Sequence, residues 1–300
     1  MKKKTYLFAL MAMALTLGSC SDNENGIGGE TSKYITVSTS IGNMTRVATD
    51  AKGGQTFEEG DEISVYAWTG APTVAPETRE RVVNNAINKL TNGSWVSTPQ
   101  MLWKNNRDKH YFIGVYPTAA ISDLSAGEYT FDETKQVESD LLVAVNKDGL
   151  SYNVDEQQTV PLTFTHVMAK LVVNLTYKNQ WGGIPTVEKV VVGNAAKEAT
   201  VNYLTKVVTP STTAKEDFSL PEITENTKYV SVIIPQEEVT QLTIVIGGKN
   251  FVYDNGTPFK LESGKITTVN LEVGRDEIKL GDVKITDWED GSTFGGEALN

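Results

Sequence analysis

From Tyr34 onward this 300-residue chain alternates apolar and polar residues in short runs. Ile35, Val37 and Thr39 alternate with Thr36, Ser38 and Ser40. Val230, Val232 and Ile234 do the same before Pro235, and Leu242, Ile244 and Ile246 run into Gly247-Gly248. Val269, Leu271 and Val273 oppose Thr268, Asn270 and Glu272. Period two belongs to strands, because successive side chains leave a pleated backbone on opposite faces. Asn92-Gly93, Asp148-Gly149 and Asn255-Gly256 read as turns between such runs, the spacing expected of β-sandwiches. The chain therefore reads as all-β. One segment has helix-like spacing (Val83, Ala86 or Ile87, then Leu90), which leaves a short helix and an irregular strand both open.

The longest strand-like run, Val160 to Leu175, contains a phase change. Its apolar set is 160, 162 and 164, and then 167, 169, 171, 173 and 175. A strand cannot change the face it buries without a bulge or bend, so the break at His166 predicts a kink or a passage between packed layers. The polar stretch Asp155-Glu156-Gln157-Gln158 just before this run reads as a domain junction. Residues 34–158 and 159–288 are then two β-sandwich domains, in keeping with a length above that of most single domains.

Ahead of the strands, Met1-Lys2-Lys3-Lys4 is cationic and Tyr6 to Leu17 is apolar, ending in Leu17-Gly18-Ser19-Cys20. An apolar run this short fits a signal-peptide core rather than a membrane span. Small residues before the chain's one cysteine resemble a bacterial lipobox, with residues 1–19 as the signal peptide and Cys20 as the lipidation site. An ordinary secretory signal with an incidental cysteine is the alternative. Residues 20–33 are acidic and glycine-rich, a tether with nothing to bury. Asp22 and Glu24 resemble an acidic signal for export to the outer face of the outer membrane. Residues 289–300 read as a loose tail.

Charge narrows the partners. Loss of residues 1–19 removes three of the 27 basic residues and leaves all 38 acidic ones, a net charge of −14. Such a chain repels nucleic acid and anionic lipid. With two histidines, one lipid-committed cysteine and no zinc-type spacing, neither metal nor nucleophilic catalysis has a sequence basis, and no cofactor is expected. His166 reads as a packed histidine with satisfied ring nitrogens, and His110, at the end of a polar loop, as a surface residue. Trp95, Trp103 and Tyr111 read as packing.

Several motifs, in order, resemble the fimbrillin-like (Mfa-like) family of type V pilus subunits and pilus-associated lipoproteins. Thr45-Arg46 and Phe57-Glu58-Glu59-Gly60-Asp61-Glu62-Ile63-Ser64-Val65-Tyr66 are similar to its opening block. Trp95, Trp103 and Tyr111 to Pro117 follow, then Asp140 to Ala144 and the specific stretch Leu162 to Leu171. Ile233-Ile234-Pro235-Gln236, Gly264-Lys265 and Ile285-Thr286-Asp287-Trp288 complete the series. The resemblance implies two tandem transthyretin-like Greek-key β-sandwiches and no enzymatic activity. It also implies a trypsin-like protease that cuts after an arginine behind the first strand, which opens a groove for a strand from another subunit. Here that arginine is Arg46, and the plug strand carries Tyr34, Ile35, Val37 and Ile41. The candidate donor strand carries Ile278, Leu280, Val283 and Ile285. Arg46 as a plain hairpin residue remains open, because non-polymerising members also carry a threonine-arginine pair. So does the choice among shaft, tip and anchor. The implied partners are other pilus subunits and the outer membrane through a lipid on Cys20. A monomeric surface lipoprotein that binds glycans through exposed aromatics is the competing reading. If Arg46 is the processing site, N-terminal sequencing of pilus-associated protein reads from Val47; a start at Cys20 or Ser21 alone overturns the cut.

Overall fold

The computed structural model describes residues 33–42, 56–153 and 158–288. Cys20, Arg46 and the tail 289–300 lie outside them. The first half of the chain forms β1 (Thr36–Ile41), β2 (Glu62–Thr69), β3 (Arg81–Thr91), β4 (Ser94–Thr98), β5 (His110–Tyr116), β6 (Gly127–Thr130), β7 (Leu142–Leu150) and β8 (Thr159–His166). The second forms β9 (Ala169–Tyr177), β10 (Val187–Ala196), β11 (Glu198–Asn202), β12 (Val207–Pro210), β13 (Lys215–Ser219) and β14 (Glu222–Thr224). β15 (Lys228–Ile233), β16 (Gln236–Ile246), β17 (Lys249–Leu261), β18 (Lys265–Val273) and β19 (Ile278–Asp287) complete it. The helical content of the described residues is two 3-10 turns, Thr78–Glu80 and Asn179–Trp181, so the all-β reading holds.

Seven strands form one sheet in the order β1-β8-β7-β5-β2-β3-β4. One of its faces encloses Ile63, Val65, Phe112, Leu162 and Phe164. The other presents Tyr66, Trp68, Ile113 and Val115 to a second core shared with the C-terminal half. β2 and β5 are thus covered on both faces and read as nearly continuous apolar runs. The second half pairs a five-stranded sheet (β14-β15-β9-β18-β19) with a four-stranded one (β13-β10-β16-β17). Leu171, Val173, Val269 and Leu271 of the first and Val190, Val192, Leu242 and Ile244 of the second lie in that shared core. β6, from the first half, pairs with β11 of the second.

The segment of helix-like spacing is a strand. Val83, Ala86 and Leu90 lie in β3, and its register against β2 shifts between Val65 and Ala67 and again before Trp68, with Asn85 at φ 55°. Those bulges break period two and imitate a helical interval. Of the three expected turns, Asn92-Gly93 makes the β3–β4 hairpin with both residues at positive φ. Asp148-Gly149 lies within β7 and Asn255-Gly256 within β17. The phase change at His166 is where β8 ends and the chain passes to another sheet as β9. β8 pairs with β1 and β7 in the seven-stranded sheet, so the change of sheet comes after His166.

His110 is buried at 0% exposure, contrary to its surface reading. Its Nδ1–H donates to the Asp108 carbonyl at 3.1 Å, its Nε2 accepts the Lys104 amide at 3.1 Å, and its ring meets Trp103 edge-on. Burial pushes its pKa down. The short distance back to its own loop satisfies both nitrogens, which lets a polar loop end inside.

The junction between halves holds Asp140, His166, Lys170 and Trp288. His166 Nδ1 bonds the Asp140 carboxylate at 2.9 Å, but its Nε2 is buried with no hydrogen-bond partner, so the ring is only half satisfied. The imidazole stacks on Trp288 at 4.0 Å between centroids, and the Lys170 ammonium sits 5.3 Å over the same indole. Burial pushes Lys170 down to about 8, against the pull of Asp140 and with a small push from Lys228. Below about 8 both folded and unfolded chains carry this proton, and the burial penalty is fully present. Between about 8 and the ordinary lysine value of 10.5 only the unfolded chain binds it, so stability rises with pH. Urea unfolding at pH 7.5, 8.5 and 9.5 is expected to show such a rise, and Lys170→Met to flatten it; an unchanged slope in the variant refutes the assignment.

Candidate functional site

β1 has the alternation of a half-buried strand, and its seat explains both faces. Ile35, Val37 and Ile41 point inward and are buried, while Ser38 is exposed. On one side β1 runs parallel to β8 without a register break, from Thr36 opposite Thr159 to Ile41 opposite Phe164. Neighbours in a ladder share a face, so Val37 lies beside Val160, Thr39 beside Leu162, and Ile41 beside Phe164. The amide of Gly42 extends the ladder to the Phe164 carbonyl at 2.8 Å. On the outer face, hydroxyls meet hydroxyls: Thr36 and Thr159 at 3.2 Å, and Ser40 donating to Thr163 at 3.2 Å.

The other side of β1 faces the stretch that follows β4. Ile35 donates its amide to Met101 at 2.9 Å, Trp103 donates to Lys33 at 3.2 Å, and Tyr34 bridges Leu102. β1 thereby fills the gap between the two ends of the seven-stranded sheet. Val160, Leu162 and Phe164 of β8, with Met101 and Trp103 across the gap, form with β1 a single apolar cluster. Gly114 makes space for this packing: a Cβ there would lie 2.6 Å from Phe164 Cζ. At the Ile41 end, Phe57 packs edge-on against Trp95 (5.3 Å), Tyr116 (5.4 Å) and Phe164 (5.1 Å).

One inward position breaks the apolar stripe. The hydroxyl of Thr39 accepts the indole N–H of Trp95 at 3.0 Å. Sequence reasoning assigned Trp95 to packing and missed this contact between residues 56 apart. The available signal was Thr39 itself, a polar residue in line with Ile35, Val37 and Ile41.

The four residues expected to plug a groove lie on one extended segment that runs into β1: Ile35, Val37 and Ile41 are buried, and Tyr34, which bridges Leu102 ahead of the strand, is 39% exposed. Those expected to be donated lie elsewhere, in β19. That strand pairs antiparallel with β18 from Lys265 opposite Asp287 to Val273 opposite Ile278, with a bulge near Gly281. Ile278 and Leu280 pack against the C-terminal core, while Val283 and Ile285 are exposed. The structure brings no other described strand against the outer edge of β19. Trp103 and Tyr111 pack as expected. The glycan reading needed exposed aromatics, and the exposed large hydrophobics among the described residues include one aromatic, Tyr34.

A family model described as fimbrillin-like matches residues 45–288. No curated protein matches the chain. Among solved structures, the chain is similar to a candidate cell adhesion protein from Bacteroides uniformis ATCC 8492, with a TM-score of 0.65 and 18% identity over 86% of this chain and 100% of the other. A candidate cell adhesion protein from Bacteroides ovatus ATCC 8483 gives a TM-score of 0.64 and 16% identity over 86% of this chain and 98% of the other. A fimbrial protein from Bacteroides vulgatus ATCC 8482 gives 0.50 and 13% over 85% and 99%. At these identities the likeness is one of fold.

The seat of β1 predicts a local effect. Val37→Asp places a carboxylate against Val160 with no partner, and a buried unpaired charge is costly. Hydrogen exchange in this variant is expected to speed up at Ile35 and Gly42, which donate out of the first strand, and to stay unchanged in β9 and β18. Uniform acceleration across both halves would mean that β1 belongs to the global folding unit.

Proposed function

The chain belongs to the fimbrillin-like family, and from that membership we propose that it is a structural or accessory subunit of a cell-surface pilus serving adhesion. Its first strand acts as a removable plug, and a strand from another subunit takes its place. The fimbrial and cell-adhesion descriptions of the similar structures support the pilus and adhesion part of this reading. The plug part rests on one observation: β1 covers an apolar groove whose two walls, β8 and residues 101–103, come from distant parts of the chain.

Removal of β1 exposes the free edge of β8 and the side chains of Val160, Leu162 and Phe164. An unpaired edge beside an apolar stripe is the surface to which an extended segment adds, with backbone hydrogen bonds for adhesion and alternate side chains for register. Cleavage after Arg46 would cut the covalent link between β1 and the rest of the fold. The same cut would release the anchor at Cys20, so a lipid would hold the precursor at the outer membrane until assembly. A subunit that is never cut would instead remain attached through Cys20, as an anchor. The role in this reading is structural, with binding and not catalysis as its chemistry.

A site-specific protease sequence placed after Arg46 tests the plug. Cut protein is expected to give a ladder of oligomers on unboiled gels when mixed with its partner subunits, and uncut protein a monomer. Monomer alone after complete cutting overturns strand exchange and leaves a monomeric surface lipoprotein.

A further inference from the structure

We infer that the β1 groove selects its incoming strand by one partly buried hydrogen bond, and that the selected strand comes from a subunit other than this chain. This inference rests on the exchange reading above and adds the chemistry of the partner. β1 and the residue before it present inward, at every second residue, Ile35, Val37, Thr39 and Ile41. The first, second and fourth are apolar and meet apolar walls. The third is a hydroxyl, and it accepts the Trp95 N–H at 3.0 Å. Trp95 follows the expected cut and stays with the groove after β1 has left. Its ring is held edge-on by Phe57, another residue on the retained side. An incoming strand with an aliphatic residue at the third position cannot accept the indole N–H, and the bond's contribution of about 1 kcal/mol is lost. The fourth position abuts Phe164, whose ring is fully buried, and Phe57 packs on that same ring. A charge there would have no partner.

The groove thus reads apolar, apolar, acceptor, apolar along alternate residues. Two alternate lines of β19 begin with two apolar residues and an acceptor. Ile278, Leu280 and Asp282 lead to Lys284, and Val283, Ile285 and Asp287 lead to Glu289. Each ends in a charge where the groove needs an apolar side chain. Reading the strand backwards gives no match either. β19 is also already paired with β18 from Lys265 opposite Asp287 to Val273 opposite Ile278. The partner strand is therefore another subunit's, with two aliphatic residues, a serine, threonine, asparagine or glutamine, and a final aliphatic residue in alternation.

The mature chain with a protease sequence after Arg46, cut in the folded state, keeps β1 seated, and fluorescent peptides then compete for its place. The peptides are residues 34–42, the same with Thr39→Val, the same with Ile41→Lys, and residues 278–288. The 34–42 peptide is expected to displace β1; Thr39→Val is expected to bind about fivefold more weakly and Ile41→Lys about tenfold or more. On the Trp95→Phe variant the 34–42 peptide and its Thr39→Val form are expected to bind alike, while Ile41→Lys keeps its deficit. Equal binding of the Thr39 pair to unmodified Trp95 refutes selection by the hydrogen bond. Binding of 278–288 as tight as that of 34–42 refutes the separate partner. Failure of 34–42 itself to exchange overturns the exchange reading, and this inference with it.

Discussion

The parallel ladder between β1 and β8 is the contact that closes the first half of the molecule. It joins residues more than a hundred positions apart, and no hairpin supports it. The second half contains a matching arrangement. Its first strand, β9, runs parallel to β18 over Lys170 to Tyr177. The two ladders differ in what holds their first strands. β9 follows β8 after two residues and has β15 on its other side. β1 is reached from the rest of the fold through a single connection after Ile41, and its second neighbour is the short stretch 101–103. One half is closed by continuous chain, the other by a segment whose connection carries Arg46.

The shared core stabilises this asymmetry. Tyr66, Trp68, Ile113 and Val115 belong to the cluster that reaches into the C-terminal half, whereas Ile35, Val37 and Ile41 belong to the other. The far face of the seven-stranded sheet therefore keeps its packing whatever occupies the seat of β1. β6, which pairs with β11, ties the halves again away from the groove. The seat of the first strand is thus packed in a cluster separate from the core that joins the halves.

The sequence displays some of this and conceals the remainder. Alternation at 35, 37 and 41 marked a strand with one buried face, and the phase break at His166 marked a change of layer, because both are local consequences of pleating. β3 hid behind its bulges. His110 looked exposed because its neighbours are polar, although those same neighbours supply the carbonyl and amide that let it be buried. The Trp95–Thr39 bond and the closure by residues 101–103 depend on register between distant segments, which no local pattern carries. Thr39 left a trace as the polar residue in an apolar line, but its partner could be identified only in three dimensions.

The energetics of β1 fit the exchange proposed above. Burying its three aliphatic side chains is worth ~1.5–3 kcal/mol each. Fixing the residues from Ile35 to Ile41 costs ~1–2 kcal/mol each in backbone entropy. These two terms are of similar size, so the net hold comes from ladder bonds, the hydroxyl contacts and the Trp95 bond, each contributing about 1 kcal/mol. A covalently attached strand meets its groove at an effective concentration in the ~mM range, and a modest intrinsic affinity then keeps it in place. Once that connection is cut, the same affinity competes with any strand present at comparable concentration. On the exchange reading proposed above, seating and replacement of β1 need no change in the groove, only the loss of one peptide bond.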